Sequence, residues 1–403
     1  MDAVRERGRP VGLYALVLLL VAAAIGYRAF EPRDTLDSAQ SPYPARVPAT
    51  PRLYGSILDT PLVVDGRLRV YAAQREVWAD QPVDFRSSLS PFWAYRRWPA
   101  TLLGVVAVGT TVVSRWSDGD LVALDATRGT IAWRVRAPTV AGSYLGRRTG
   151  AATVYQPAGM YTAGSVVIVV GDTGTRAFDA PSGRPLWTKT VPRCGSHAYF
   201  TGVGVFVAVA RCEGASTVDV FDAGTGKALA WPALGGDVEP VSCAVGRSGC
   251  RGARTPGHAW VIGADGALTA APALVGAGSW LVDGVVVGPG PDGTVTGRAA
   301  GGRQLWSWPL TGPVPAGARV VAVEQGAVHL LTDDRYLISV DPADGLELSR
   351  LPLIDVENGR FDPGYVYAAD RYVFVERRKA GAKPADPDSR YYYPSPNVLV
   401  AGT

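Results

Sequence analysis

Several things are scarce in this 403-residue chain, and each scarcity closes a route. Methionine occurs twice and histidine three times. His197, His258 and His329 are scattered, and none stands at a metal-ligand spacing from another histidine or a cysteine. Asparagine before the last few residues is confined to Asn358, so the carboxylate-and-amide oxygen set of a Ca²⁺ site cannot be assembled from neighbouring positions. No Gly-x-Ser-x-Gly elbow, Walker A loop or His-Glu-x-x-His helix occurs. Charged residues make up only 19%, and the net charge is +4, much of it in Arg5, Arg7 and Arg9. The remainder is nearly balanced, which gives no footprint for nucleic acid. Lysine is almost absent beside arginine, a bias that with so much Ala, Gly, Val and Pro reads as GC-rich bacterial coding.

What is abundant is glycine (48), proline (31), valine and aromatics. Valine and aromatic residues suit pleated strands, and recurrent Gly and Pro exclude long uninterrupted helices. The exception is residues 11–30, VGLYALVLLLVAAAIGYRAF, whose first 17 residues are uncharged. That length is at the short end of a membrane-spanning helix. Tyr14 and Tyr27 lie near its ends, and the arginines before it place residues 1–10 in the cytoplasm. A signal peptide cleaved near Ala22–Ala24 is the competing reading, and both readings export the rest. Residues 31–51, rich in Pro, Ser and alternating charge, read as an extended spacer before a folded region at 52–403.

The folded region repeats itself. An apolar run ends in Asp, three residues pass, Gly follows, and a Trp comes after three or four more. Copies run Asp125-Gly129-Trp133, Asp179-Gly183-Trp187 and Asp222-Gly226-Trp231. A degenerate copy is Arg298 to Trp306, and another, Asp341-Gly345, has Ser349 where the tryptophan would be. Asp and the following Ser/Thr bond the turn backbone while Gly supplies positive φ, so each copy is a β-hairpin. Two further apolar strands precede each. The wide gap between Asp222 and Arg298 hides one more unit around residues 259–271. The period of about 43 residues fits propeller blades and no helical repeat. Seven four-stranded blades are expected, with eight as the alternative if residues 52–90 supply more than one strand. The C-terminal run Asn397–Gly402 needs a partner strand, and residues 68–79, carrying Trp78, are the expected one.

This Asp-x3-Gly-x3-Trp repeat resembles the pyrroloquinoline-quinone-like, or tryptophan-docking, propeller family over roughly residues 52–403. The resemblance implies that Trp133, Trp187, Trp231 and Trp306 pack between blades. It does not by itself imply the cofactor, because the family joins quinoprotein dehydrogenases, a lipoprotein of outer-membrane protein assembly, and exported propellers of no known reaction. The vicinal cysteine pair and Ca²⁺ ligands of the dehydrogenases are lacking, so no pyrroloquinoline quinone, metal or catalytic residue is expected. The four cysteines allow three pairings, of which the local ones, Cys194 with Cys212 and Cys243 with Cys250, suit an exported chain. Two stretches carry the residue types of binding surfaces: Trp93, Tyr95, Arg96, Arg97 and Trp98, and the basic, Pro-rich stretch 376–396. Packing of the two tryptophans, and a solvated insertion, are the alternatives. The expected function is a membrane-tethered, extracytoplasmic binding or scaffold module for a protein or envelope ligand. A small-molecule oxidoreductase using the central funnel is the alternative.

Overall fold

The computed structural model describes residues 14–22 and 33–403, apart from 82, 84–89, 141, 191–194, 213–214, 233, 235–236, 354–360 and 395. Its architecture is eight antiparallel sheets in chain order. Blade 1 contains Leu62–Val64, Leu68–Ala73, Glu76–Asp80 and Trp93–Trp98, and blade 2 runs from Leu102–Val108 to Thr130–Arg136. Blades 3 to 7 fill residues 160–189, 196–229, 239–270, 280–308 and 319–352. Blade 8 has Asp362–Ala369, Tyr372–Arg378 and Val398–Gly402, and its fourth strand is Arg52–Ile57 from the other end of the chain. The first strands of neighbouring blades run beside one another, so they line the axis. Valine and leucine pack between the sheets, for example Val106, Val113 and Val169 between blades 2 and 3.

Eight blades replace the expected seven. The C-terminal strand pairs with residues 52–57, Leu53 opposite Ala401 and Ile57 opposite Val398. Residues 68–79 belong to blade 1, where Tyr71 opposes Trp78. Residues 52–98 therefore supply five strands across two blades. The short strands at 52–57 and 62–64 are divided by only Leu58–Pro61.

The repeated turns explain the joints. Trp133 Nε1 donates to Ala180 O at 2.7 Å, in the turn of the next blade. The same bond runs from Trp187 to Ala223 O, Trp231 to Gly266 O and Trp306 to Pro342 O. Trp93 makes it to Ala126 O at 3.0 Å and is fully buried, so this member of the expected interaction stretch is a joint residue. The Asp and Gly of one repeat thus receive the Trp of the preceding blade. A Cβ on Gly183 (φ +69) would lie 2.6 Å from the Trp133 ring. Blade 7 has Ser349 in the register of the tryptophans, and blade 8 has Gly55. Blade 8 has no turn between its third and fourth strands, because the chain's two ends meet there. A tryptophan from blade 7 would have nothing to dock on.

A second device ties this closing blade. Residues 33–51, expected as a spacer, begin with a strand: Arg33–Asp37 pairs with Trp93–Trp98 as a fifth strand of blade 1. The chain then crosses the face that carries the repeat turns. Ala39 N donates to Arg128 O, Arg67 Nη1 to Pro44 O, and Tyr372 Oη of blade 8 to Val47 O. Arg46 lies 3.9 Å from Asp65 of blade 1 and 3.7 Å from Asp370 of blade 8. This strap spans the joint between blades 8 and 1, where Gly55 stands in place of a tryptophan.

Of the expected transmembrane segment 11–30, residues 14–22 are helical with exposed apolar side chains, and the rest lies outside the described residues, as does the tail 1–10. Among the described residues no helix is long and apolar enough to cross a membrane.

Two glycine substitutions isolate the docking contact. Gly109 (φ +56) has nothing within 4 Å of a Cβ. Gly109→Ala should cost only the left-handed backbone penalty, roughly 1–2 kcal/mol. Gly183→Ala should cost about 1–3 kcal/mol more, from overpacking against Trp133. Urea denaturation of both variants reads the difference, and equal losses would mean the joint does not depend on that fit.

Candidate functional site

The centre of the ring is where a propeller would hold a small molecule, and here much of it is filled by the chain. The link from blade 2 to blade 3, residues 137–159, is long. It folds inward and carries a short helix, Ala151–Tyr155, whose buried residues are Ala151, Thr153, Val154 and Tyr155. Tyr155 Oη donates to Pro61 O at 2.6 Å, and its ring lies 4.7 Å from that of Tyr367 on the first strand of blade 8. Burial pushes the Tyr155 phenol well above its usual range. From the strap face, the turn 242–250 of blade 5 reaches the same axis. Cys243 and Cys250 close it with a disulfide. Thr201 N of blade 4 donates to Arg247 O, and Thr162 N of blade 3 to Ser248 Oγ. Cys212 is likewise disulfide-bonded, and Cys194 lies outside the described residues.

Between the two plugs remains a cavity of about 340 Å³, bordered by Tyr155, Gln156, Ser242, Cys243, Trp280 and Tyr365. Its lining includes no Asp, Glu, His, Lys or Arg. An anionic quinone would require cationic partners and a bridging Ca²⁺ would require carboxylates, so these residues do not fit such a cofactor. Among the described residues no cluster of three His, Cys, Asp or Glu is arranged to hold a metal. His329 is buried, with Ser339 Oγ at 2.9 Å and Glu324 Oε1 at 3.1 Å. His197 and His258 stack on Tyr199 and Trp260. Asn358 lies outside the described residues.

The face opposite the strap, where blade-to-blade links lie, gathers more polar chemistry. Here the stretch 379–396 of blade 8 meets the 137–159 insertion. Arg147 Nε donates to Asp388 Oδ1 at 2.9 Å, and its other nitrogens donate to Pro384 O and Asp386 O. Its guanidinium sits 4.0 Å from the Tyr391 ring. Behind it, Thr149 Oγ1 donates to the buried Glu376 Oε1 at 2.5 Å, and Tyr365 N donates to Oε2. Burial raises the Glu376 carboxyl, an effect opposed by the Thr149 and Tyr365 hydrogen bonds. Lys383 and Arg390 remain exposed at the tip. The insertion's role as partner of this loop left no sequence signal, because the two lie more than 220 residues apart.

The other expected interaction stretch is mostly covered. Tyr95 is buried, with its hydroxyl on Asp34 Oδ2. Arg97 is 6% exposed and bonded to Asp34, Asp118 and Asp120. Arg96 is paired with Glu76 and Asp37. The strand 33–37 supplies two of these carboxylates. Trp98 is 38% exposed, with the Arg75 guanidinium 3.5 Å from its ring.

The family described as outer membrane protein assembly factor BamB, of the quinone-type propeller repeat, matches residues 65–314. That is more than half the chain, and the chain belongs to this family. Among solved structures, BamB from Moraxella catarrhalis is 16% identical, with 89% of this chain and 100% of that one covered and a TM-score of 0.45. The C-terminal WD40 domain of Sif2 is 12% identical over 89% and 97%, at 0.47. A europium-containing methanol dehydrogenase is 13% identical over 85% and 87%, at 0.42. No curated protein matches the sequence.

Two outcomes follow from this electrostatics. Arg147→Ala should release the 379–391 segment, and trypsin cleavage after Arg390 should rise about tenfold or more, since about 1.4 kcal/mol of lost local stability suffices. An unchanged cleavage rate would show that the loop is held elsewhere. At the closing joint, burial raises the Asp59 carboxyl to about 6, with Asp80 adding to the effect. The native state then holds a proton that the unfolded chain releases. Stability present below about pH 4 is lost as pH rises through the native value. Asp59→Asn should therefore stabilise at pH 7 by about 1–2 kcal/mol and be neutral near pH 4. Melting curves across that range check it.

Proposed function

We propose that this chain is an exported, membrane-tethered propeller that binds a protein partner of the cell envelope through its loops rather than acting as a catalyst. The observation that carries the reading is the filled axis. The chain's own residues 150–157 and 242–250 occupy the position of a funnel ligand, and the cavity left between them has no ionisable carboxyl, imidazole or cationic group. Rigid scaffolds commonly present function on loops. A long one here, 379–396, is braced on the 137–159 insertion and leaves Lys383 and Arg390 outward. Membership of a family described by an assembly factor supports a protein partner in general. The apolar segment 11–30, preceded by arginines, supports the tether, the extracytoplasmic location and a cytoplasmic N-terminus.

The test is crosslinking of the full chain in its native membrane, followed by mass spectrometry. Partners should be recovered through the 379–396 loop. A Lys383→Ala/Arg390→Ala variant should lose several-fold in recovered partner at an unchanged melting temperature. Undiminished recovery would place the interface elsewhere. A near-stoichiometric bound quinone with dye-linked dehydrogenase turnover would instead favour a redox enzyme.

A further inference from the structure

We infer that the rim of blade 1, on the face away from the strap, is the protein's docking edge for a phospholipid headgroup surface. This rests on the tether reading above. If residues 11–30 span the bilayer, only two residues separate the span from Arg33, where the fifth strand of blade 1 begins. From residue 30 to residue 33 the chain reaches at most about 10 Å at ~3.3–3.6 Å per residue. The headgroup layer on one side is itself about 5–8 Å deep. There is no leash. The propeller edge at Arg33 must rest on, or within, the outer part of the interface.

The side chains at that edge suit such a place. Arg33 lies directly across the strand pair from Trp98, at the end where blade links lie. Beside them a groove of about 520 Å³ is lined by Arg33, Thr35, Gln74, Arg75, Arg96 and Trp98 among others. Trp98 is the exposed tryptophan of its stretch and carries Arg75 on its ring. Indole and guanidinium both favour the headgroup layer, the ring on the apolar side and the cation toward phosphate. Arg96 and Arg97 are already matched by carboxylates, so the contact should depend on the interface more than on net anionic lipid. The strap lies on the far face and, with it, the 125–129 turn. The 379–396 loop would then face the membrane side of the ring.

The full chain reconstituted in phosphatidylcholine vesicles with a minor fraction of phosphatidylglycerol tests this. A spin label at Gln74→Cys marks the groove, and one at Gln40→Cys marks the strap face. The label at 74 should collide several-fold less with an aqueous nickel chelate than the label at 40, and relatively more with oxygen. Trp98→Ser should raise chelate access at 74. If the chain floats with vesicles but both labels are equally aqueous, or 40 is the shielded one, the docking edge is wrong and the tether stands. If the chain does not float with the vesicles, the tether reading fails and takes this inference with it.

Discussion

One constraint governs this ring: its last blade exists only if the two ends of the chain pair. Val398–Gly402 has a free edge until Arg52–Ile57 lies against it. An unpaired edge of that kind is both a lost ladder of hydrogen bonds and an aggregation hazard. The rest of the joint chemistry follows. Where a blade has a turn between its third and fourth strands, that turn can accept a neighbour's tryptophan. The closing blade has none, and Ser349 and Gly55 occupy the positions where indoles stand elsewhere. The strap of residues 38–50, with Arg46 near Asp65 and Asp370, supplies a polar substitute on one face.

The same division explains the electrostatics. Five joints are held by an indole N–H to a backbone carbonyl. The joint between blades 8 and 1 contains Asp59 and Asp80, both with carboxyls raised by burial. Those two buried carboxyls make its strength depend on pH. A ring with a polar seam between mostly apolar joints would open first at that seam, which lies beside the inward-folded insertion and the loop it braces.

Much of the fold could be read from the residues. Asp125-Gly129-Trp133 and its copies carry hairpin chemistry at fixed offsets, and that identifies blades. The blade number was harder. Residues 52–98 lack a clean copy of the motif, because the turn after Asp80 is lengthened and Trp93 follows Asp80 by thirteen residues. Without that motif, Trp93 looks from the sequence like a contact residue and Trp78 like part of the closing strand. The strand Arg33–Asp37 was invisible as a strand because only Leu36 is a large apolar residue. Its pairing is set by Asp34 and Asp37 meeting arginines, which no periodicity encodes. The contact of Arg147 with Asp388, and of Thr149 with Glu376, depends on a ring closing across more than half the chain.

An axis filled by the protein's own helix and disulfide-closed turn turns attention to faces and rims, which fits a binding module held close to a surface. All of this depends on the terminal strands being partners. The direct measurement is an engineered crosslink, Leu53→Cys with Ala401→Cys, in the chain whose described native cysteines are all disulfide-bonded. Oxidation should join the two positions nearly completely, and a control pair at Trp78 and Ala401 should not form. No bond between 53 and 401, or a bond between 78 and 401, would contradict the closure of this eight-bladed ring.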